Sequence, residues 1–128
     1  MKNVCVCFLL ICFTLSCDTK QKDYSAAENA FDAGREFIDA ALKGDFEKAA
    51  FYMKDDAANK QLLLQQKNDY TASGTVIKEE YRQASIIIAQ DSTINDTVHI
   101  ISYANSYDRK SKMLKVIFTN KTWLVDLK

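Results

Sequence analysis

Proline is absent from the 128-residue chain, and glycine occurs only three times, at Gly34, Gly44 and Gly74. Turns must therefore be made largely by Asn, Asp, Ser and Thr, whose short polar side chains stabilise reversed backbone locally. Cysteine is confined to the first seventeen positions, as Cys5, Cys7, Cys12 and Cys17. That leaves no thiols for a disulfide framework or a thiolate metal site in the body of the chain. His99 is the single histidine, which excludes a multi-histidine metal centre. Seventeen basic and seventeen acidic side chains cancel. No global field then draws in nucleic acid, and a wide nucleic-acid footprint is disfavoured. Phosphate-loop, GxGxxG, GxSxG and HExxH patterns are also missing, so no motif implies a cofactor or a metal.

What is present suits one globular domain. The chain is 48% hydrophobic and 27% charged, an ordinary balance for a folded chain. A body of this size can bury enough surface to hold together without disulfides.

Lys2 precedes an apolar run from Val4 to Leu15. The run is too short to span a bilayer, which takes about twenty residues, but it suits a secretory signal. It ends in Thr14-Leu15-Ser16-Cys17 and gives way at once to polar residues from Asp18 to Asp23. This resembles the lipobox of bacterial lipoprotein signals, with small Ser16 before Cys17 and Thr14 where an aliphatic residue is usual. The resemblance implies cleavage after Ser16, acylation of Cys17 with palmitate-type chains, and a lipid-anchored place on the periplasmic or outer-membrane face of a bacterial envelope. Residues 1–16 are then signal peptide, 17–24 a lipidated tether and 25–128 the domain.

Ser25 with Glu28 has the spacing of a capping box. Ala27, Ala30, Phe31, Gly34, Phe37, Ile38, Ala41 and Leu42 follow at intervals of three and four, predicting an amphipathic helix. Gly34 on its apolar face predicts close approach by another element. Gly44 stops this helix and Asp45 caps a second, with Phe46, Ala49, Ala50 and Met53 inward. Asp55 or Asp56 caps a third, with Ala57, Leu62, Leu63 and Tyr70 inward, ending before Gly74. Strands are expected from Ser85 to Gln90, Thr97 to Tyr107, Ser111 to Thr119 and Thr122 to Leu127. A helical turn near Lys78-Glu79-Glu80 is the alternative to an earlier strand start. Asp91 to Asp96 and Asn120-Lys121 supply turns. Within the first, Asp91-Ser92-Thr93, and just beyond it Asp96-Thr97-Val98, resemble the O-glycosylation sequon of some bacterial envelope proteins.

Helices followed by a meander give an α+β order, with N-terminal helices packed on a curved antiparallel sheet of about four strands. The stretch Phe37-Ile38 to Leu42, then Gly44-Asp45-Phe46-Glu47-Lys48-Ala49, resembles the first helical corner of small bacterial lipoproteins in the nuclear transport factor 2-like (cystatin-like cone) superfamily. Lys121-Thr122-Trp123-Leu124-Val125-Asp126 is similar to that group's last strand, with Asn120 where glycine is common. The resemblance implies a cone with a concave interior. It carries fold rather than activity, because such folds host isomerases, dehydratases, transport factors and domains of unknown function.

Tyr81, Tyr103, Trp123 and Asp126 are the candidate ligand-binding residues; Tyr107 joins Tyr81, Tyr103 and Asp126 as a candidate for acid–base chemistry, and His99, between Val98 and Ile100, reads as a surface or sheet-packing histidine. No residue is assigned as catalytic. The expected role is non-enzymatic binding of a small apolar ligand or an envelope partner. The alternatives are an acid–base enzyme using a carboxylate such as Asp126 in the cone, or a structural homodimerisation module.

Overall fold

The computed structural model describes residues 22–128. The expected signal peptide, the Cys17 lipidation site and tether residues 18–21 lie outside the described residues. The body is an α+β fold of four helices and a four-stranded antiparallel sheet, in the order α1 (Ala30–Lys43), α2 (Phe46–Phe51), α3 (Ala57–Ala72), α4 (Thr75–Gln83), β1 (Ile86–Asn95), β2 (Val98–Asn105), β3 (Lys112–Thr119) and β4 (Thr122–Asp126). The sheet is a simple meander, β1-β2-β3-β4.

Helix α1 starts four residues later than the Ser25 cap predicts. Asn29 is the N-cap, its side chain accepting from the Asp32 N–H at 2.8 Å. The reason lies in the preceding segment. Lys22 pairs with Asp45 at 3.0 Å, Tyr24 packs on Phe51, and the Ser25 carbonyl accepts from the Tyr52 hydroxyl at 2.8 Å. These contacts hold residues 22–28 as an extended strap across α2, so the last part of the expected tether belongs to the domain. At the other end Gly44 adopts the left-handed conformation (φ 73°), and Asp45 caps α2 by accepting from the Lys48 N–H. Glycine is doubly required here, because a Cβ would also lie 2.5 Å from Tyr70 Cε1.

The buried face of α1 comprises Ala30, Ala33, Gly34, Phe37, Ile38 and Ala40. Phe31, expected inward, is exposed, and Ala33 and Ala40 take the interior places. The stripe is narrow and small because the helix lies close to the sheet. Opposite it stand Ile101, Leu114, Val116 and Val125, which the strand register puts on one sheet face. Gly34 is the point of closest approach, as its place on the apolar face predicts. A Cβ there would collide with Ile101 Cδ1 and touch Val116 and Leu114 at 3.5 and 3.6 Å. Gly34→Ala should therefore lose stability, its helix-propensity gain of about 1 kcal/mol being outweighed by overpacking. Ile101→Val, which deletes the colliding methyl, should restore it. Chemical denaturation of the two single variants and the double should show about 1 kcal/mol of favourable coupling. Strict additivity would mean that the two residues do not meet.

Two stretches differ from the sequence expectation. Thr75 to Gln83 is a full fourth helix. The first strand runs on through Asp91-Ser92-Thr93 to Asn95, where a turn was expected. Only Asp96 and Thr97 remain for the turn, with Asn95 accepting from both the Thr97 N–H and its hydroxyl. Polar residues persist in β1 because it is an edge strand, paired on one side alone. Register shifts between Ile88 and Gln90 and between Thr93 and Asn95 bend it. Asn120 and Lys121 both have positive φ, 49° and 62°, and form the tight β3–β4 turn that their sequence predicts. The far edge of β4 is not free. Val125 bonds to Tyr52 and Lys54 through backbone at 2.8 Å each, a short parallel bridge that sews the end of α2 to the sheet.

Candidate functional site

Helix α3 has no apolar stripe, since Leu62-Leu63-Leu64 winds around its axis. Only Asn59 and Leu63 are buried along it, and Ala57, expected inward, is exposed. It packs chiefly on α2 and only lightly on the sheet. It is fixed at its start by the Asp56 cap and near its end by Tyr70, which meets Phe46 edge-on at 5.7 Å. Between these points the helix stands away from α1 and β2. The gap is a cleft of about 430 Å³, continuous through Phe37, Gln66, Asp69, Tyr103 and Lys112 with a second hollow of about 700 Å³. This size suits a small molecule.

The cleft has two chemically different walls. Phe37, Ile38, Ala41, Leu42 and Phe46 form an apolar side. Gln66, Asp69 and Ser73 from α3 form a polar side, with Tyr81, Tyr103, Asn105 and Lys112 across the end. Tyr81 and Tyr103 thus come together as the sequence suggested, on α4 and β2. Asp108 orders this end of the cleft through Tyr81 and Asn105. It accepts from the Tyr81 hydroxyl at 3.2 Å and from Asn105 Nδ2 at 2.9 Å, while Asn105 Oδ1 accepts from the N–H groups of Tyr107 and Asp108 at 3.0 Å. Burial acts to raise the Asp108 pKa, but the Lys110 N–H, the Tyr81 hydroxyl and nearby Lys112 outweigh it and hold the carboxyl low. Tyr81 is pushed up by burial and by this hydrogen bond. Tyr103 is pushed up to about 12, by burial first and by the Asp108 charge second. Both remain protonated phenols at neutral pH. The Tyr70 hydroxyl, on the same cleft, is buried without a hydrogen-bond partner among the described residues.

Trp123 lies elsewhere, whereas Asp126 lines the second hollow. Trp123 meets His99 edge-on at 5.2 Å and Phe118 at 5.1 Å, an aromatic cluster at the far end of the sheet. His99 Nδ1 is 3.5 Å from Asp91 Oδ1, too long for a strong hydrogen bond. Tyr107 is a rim residue, edge-on to Tyr81 at 5.0 Å. Asp126 is buried and has structural partners: Lys115 Nζ at 3.1 Å and Asn59 Nδ2 at 3.1 Å. Burial would raise its pKa, but these two donors and the Lys128 N–H outweigh it and hold the carboxyl below its ordinary range. A general base or acid for chemistry near neutrality needs the opposite shift.

The polar wall from α3 was not legible in the sequence, where Gln66, Asp69 and Ser73 carry no motif. No protein-family model, curated protein or solved structure matches the chain.

Proposed function

We propose that this chain is a lipid-anchored bacterial envelope protein that binds a small amphipathic ligand, with the cleft between α1, α3 and β2 as its site. The two-walled cleft carries this reading. An apolar body would lie on Phe37, Leu42 and Phe46, while polar groups would meet Gln66, Asp69, Tyr81, Tyr103 and Lys112. A helix laid on a bent meander, with Gly34 at the contact, also supports the nuclear transport factor 2-like cone. The Ser16-Cys17 lipobox supports the anchor.

Native mass spectrometry of the full chain purified from its own host tests the binding. The parent should carry a bound small molecule. Ala41→Trp, which fills the cleft from its apolar wall, should lose that mass while keeping a melting midpoint similar to that of the ligand-stripped parent. A parent with nothing bound would overturn the reading. The same spectrum reports oligomeric state, which matters because Ile87 and Met113 are exposed on the sheet face away from α1, the place for an assembly role.

A further inference from the structure

A third hollow, of about 830 Å³, lies on the opposite side of α3 from the ligand cleft. Phe46, Phe51, Leu63, Leu64 and Leu124 give it an apolar lining, which charged residues of α2, α3 and the strap share. Phe51 is 42% exposed and Leu64 55% exposed, so two large apolar side chains stand at its lip. Lys60, Leu64 and Lys67 follow one another at four and three residues along α3, so lysines flank the leucine on one stripe. Long lysine stems can lie on apolar surface while their ammonium groups reach outward. The strap enters at this hollow, with Lys22 and Tyr24 on its wall and Tyr24 packed on Phe51 at 5.4 Å.

We infer that this face docks on the lipid bilayer that holds the anchor, with Phe51 and Leu64 entering the headgroup–acyl boundary. The inference rests on the anchored reading above. Lys22 lies five positions beyond Cys17, and even a fully extended chain of that length reaches only about 18 Å. An acylated Cys17 therefore keeps Lys22 within that distance of the membrane. The strap is itself pinned to Asp45, Phe51 and Tyr52, so no longer tether is available to let this face turn away. Charge does not drive the contact. Lys22 is paired with Asp45 and Lys60 with Asp55 at 2.6 Å, and Glu47 offsets Lys67 on the same wall, leaving the face nearly neutral. Apolar insertion is the attractive term, so zwitterionic lipid suffices.

The test uses the full chain, acylated in a bacterial host and reconstituted into phosphatidylcholine vesicles that contain bromine-substituted acyl chains. Once the signal is removed and Cys17 acylated, Leu64→Cys supplies the sole free thiol for an environment-sensitive nitrobenzoxadiazole label. Val76→Cys, at a position 75% exposed on α4, supplies the control. The label at 64 should be blue-shifted and quenched at least about twofold more than the label at 76, as for a side chain lying 5–10 Å into the interface. Equal, weak quenching at both sites in an acylated protein overturns the inference and leaves the anchor standing. A face covered by a protein partner would give that same result. Incorporation of a second label at Cys17 would show that the thiol is not acylated, and would overturn anchor and docking together.

Discussion

Asn59→Ala is expected to cost about 3 kcal/mol of folding stability, read as a lower urea midpoint at unchanged slope, well beyond the roughly 1 kcal/mol of an ordinary substitution. Asn59 is fully buried. Its Nδ2 donates to Asp56 Oδ2 at 3.2 Å and to Asp126 Oδ1 at 3.1 Å, and its Oδ1 accepts from the Leu127 N–H at 2.7 Å. One amide thus ties the start of α3 to the end of β4. Alanine would leave the Leu127 N–H without that acceptor and the buried Asp126 carboxylate one donor short, at about 1–3 kcal/mol for each group left unsatisfied. Acid gives a second readout. The folded pKa of Asp126 lies below its unfolded value, so its contribution is complete above about pH 4 and is lost as pH falls through the folded pKa. Removing the Asn59 donor moves that pKa back toward the ordinary range. The variant should therefore lose less further stability than the parent between neutral pH and about pH 3. A variant within about 0.5 kcal/mol of the parent at neutral pH would mean that this amide joins nothing of consequence.

What the sequence made legible was whatever local chemistry alone decides. Gly44-Asp45 and Asn120-Lys121 specify backbone reversals through their own conformational preferences, and both stand where they were expected. The alternation in β3 and β4 likewise predicts Leu114, Val116 and Val125 inward, as they are, although Phe118, expected with them, is exposed. The misses share a different cause. Ser25 had the right spacing for a cap, but the contacts of Tyr24 and the Tyr52 hydroxyl with residues distant in sequence hold that segment extended. The polar end of β1 read as a turn because nothing in its composition reveals that β2 will supply backbone partners along its whole length. For the site, the loss is more instructive. A helix that seals a core shows an apolar stripe, whereas one that walls a cleft need not. Helix α3 therefore read as weak, and its Gln66 and Asp69 went unnoticed. Tyr81 and Tyr103 could be named from their residue type, but only the fold separates them from Trp123.

Phe37→Ala should show whether the cleft is a binding site or merely a packing gap. The ring is 2% exposed and lines both parts of the cleft. Its loss is expected to cost about 4 kcal/mol, the usual range for a buried phenylalanine being 3–5. Such a loss alone says nothing about function, so the comparison that matters is Ile101→Ala. Ile101 is fully buried against Gly34 and lines neither part of the cleft. Its truncation should cost about 2–5 kcal/mol without touching the site. Below the melting range of both variants, native mass spectrometry should find the bound molecule on Ile101→Ala and not on Phe37→Ala. The two should also differ in how their stability depends on ligand. A ligand that binds only the folded state adds RT ln(1 + [L]/Kd), about 2.7 kcal/mol at a hundredfold excess over Kd. Stripping it should narrow the gap between the parent and Phe37→Ala by that amount, and leave the gap between the parent and Ile101→Ala unchanged. Equal loss of the molecule from both variants would tie retention to global stability rather than to the Phe37 wall, and the cleft would then have no claim as the site.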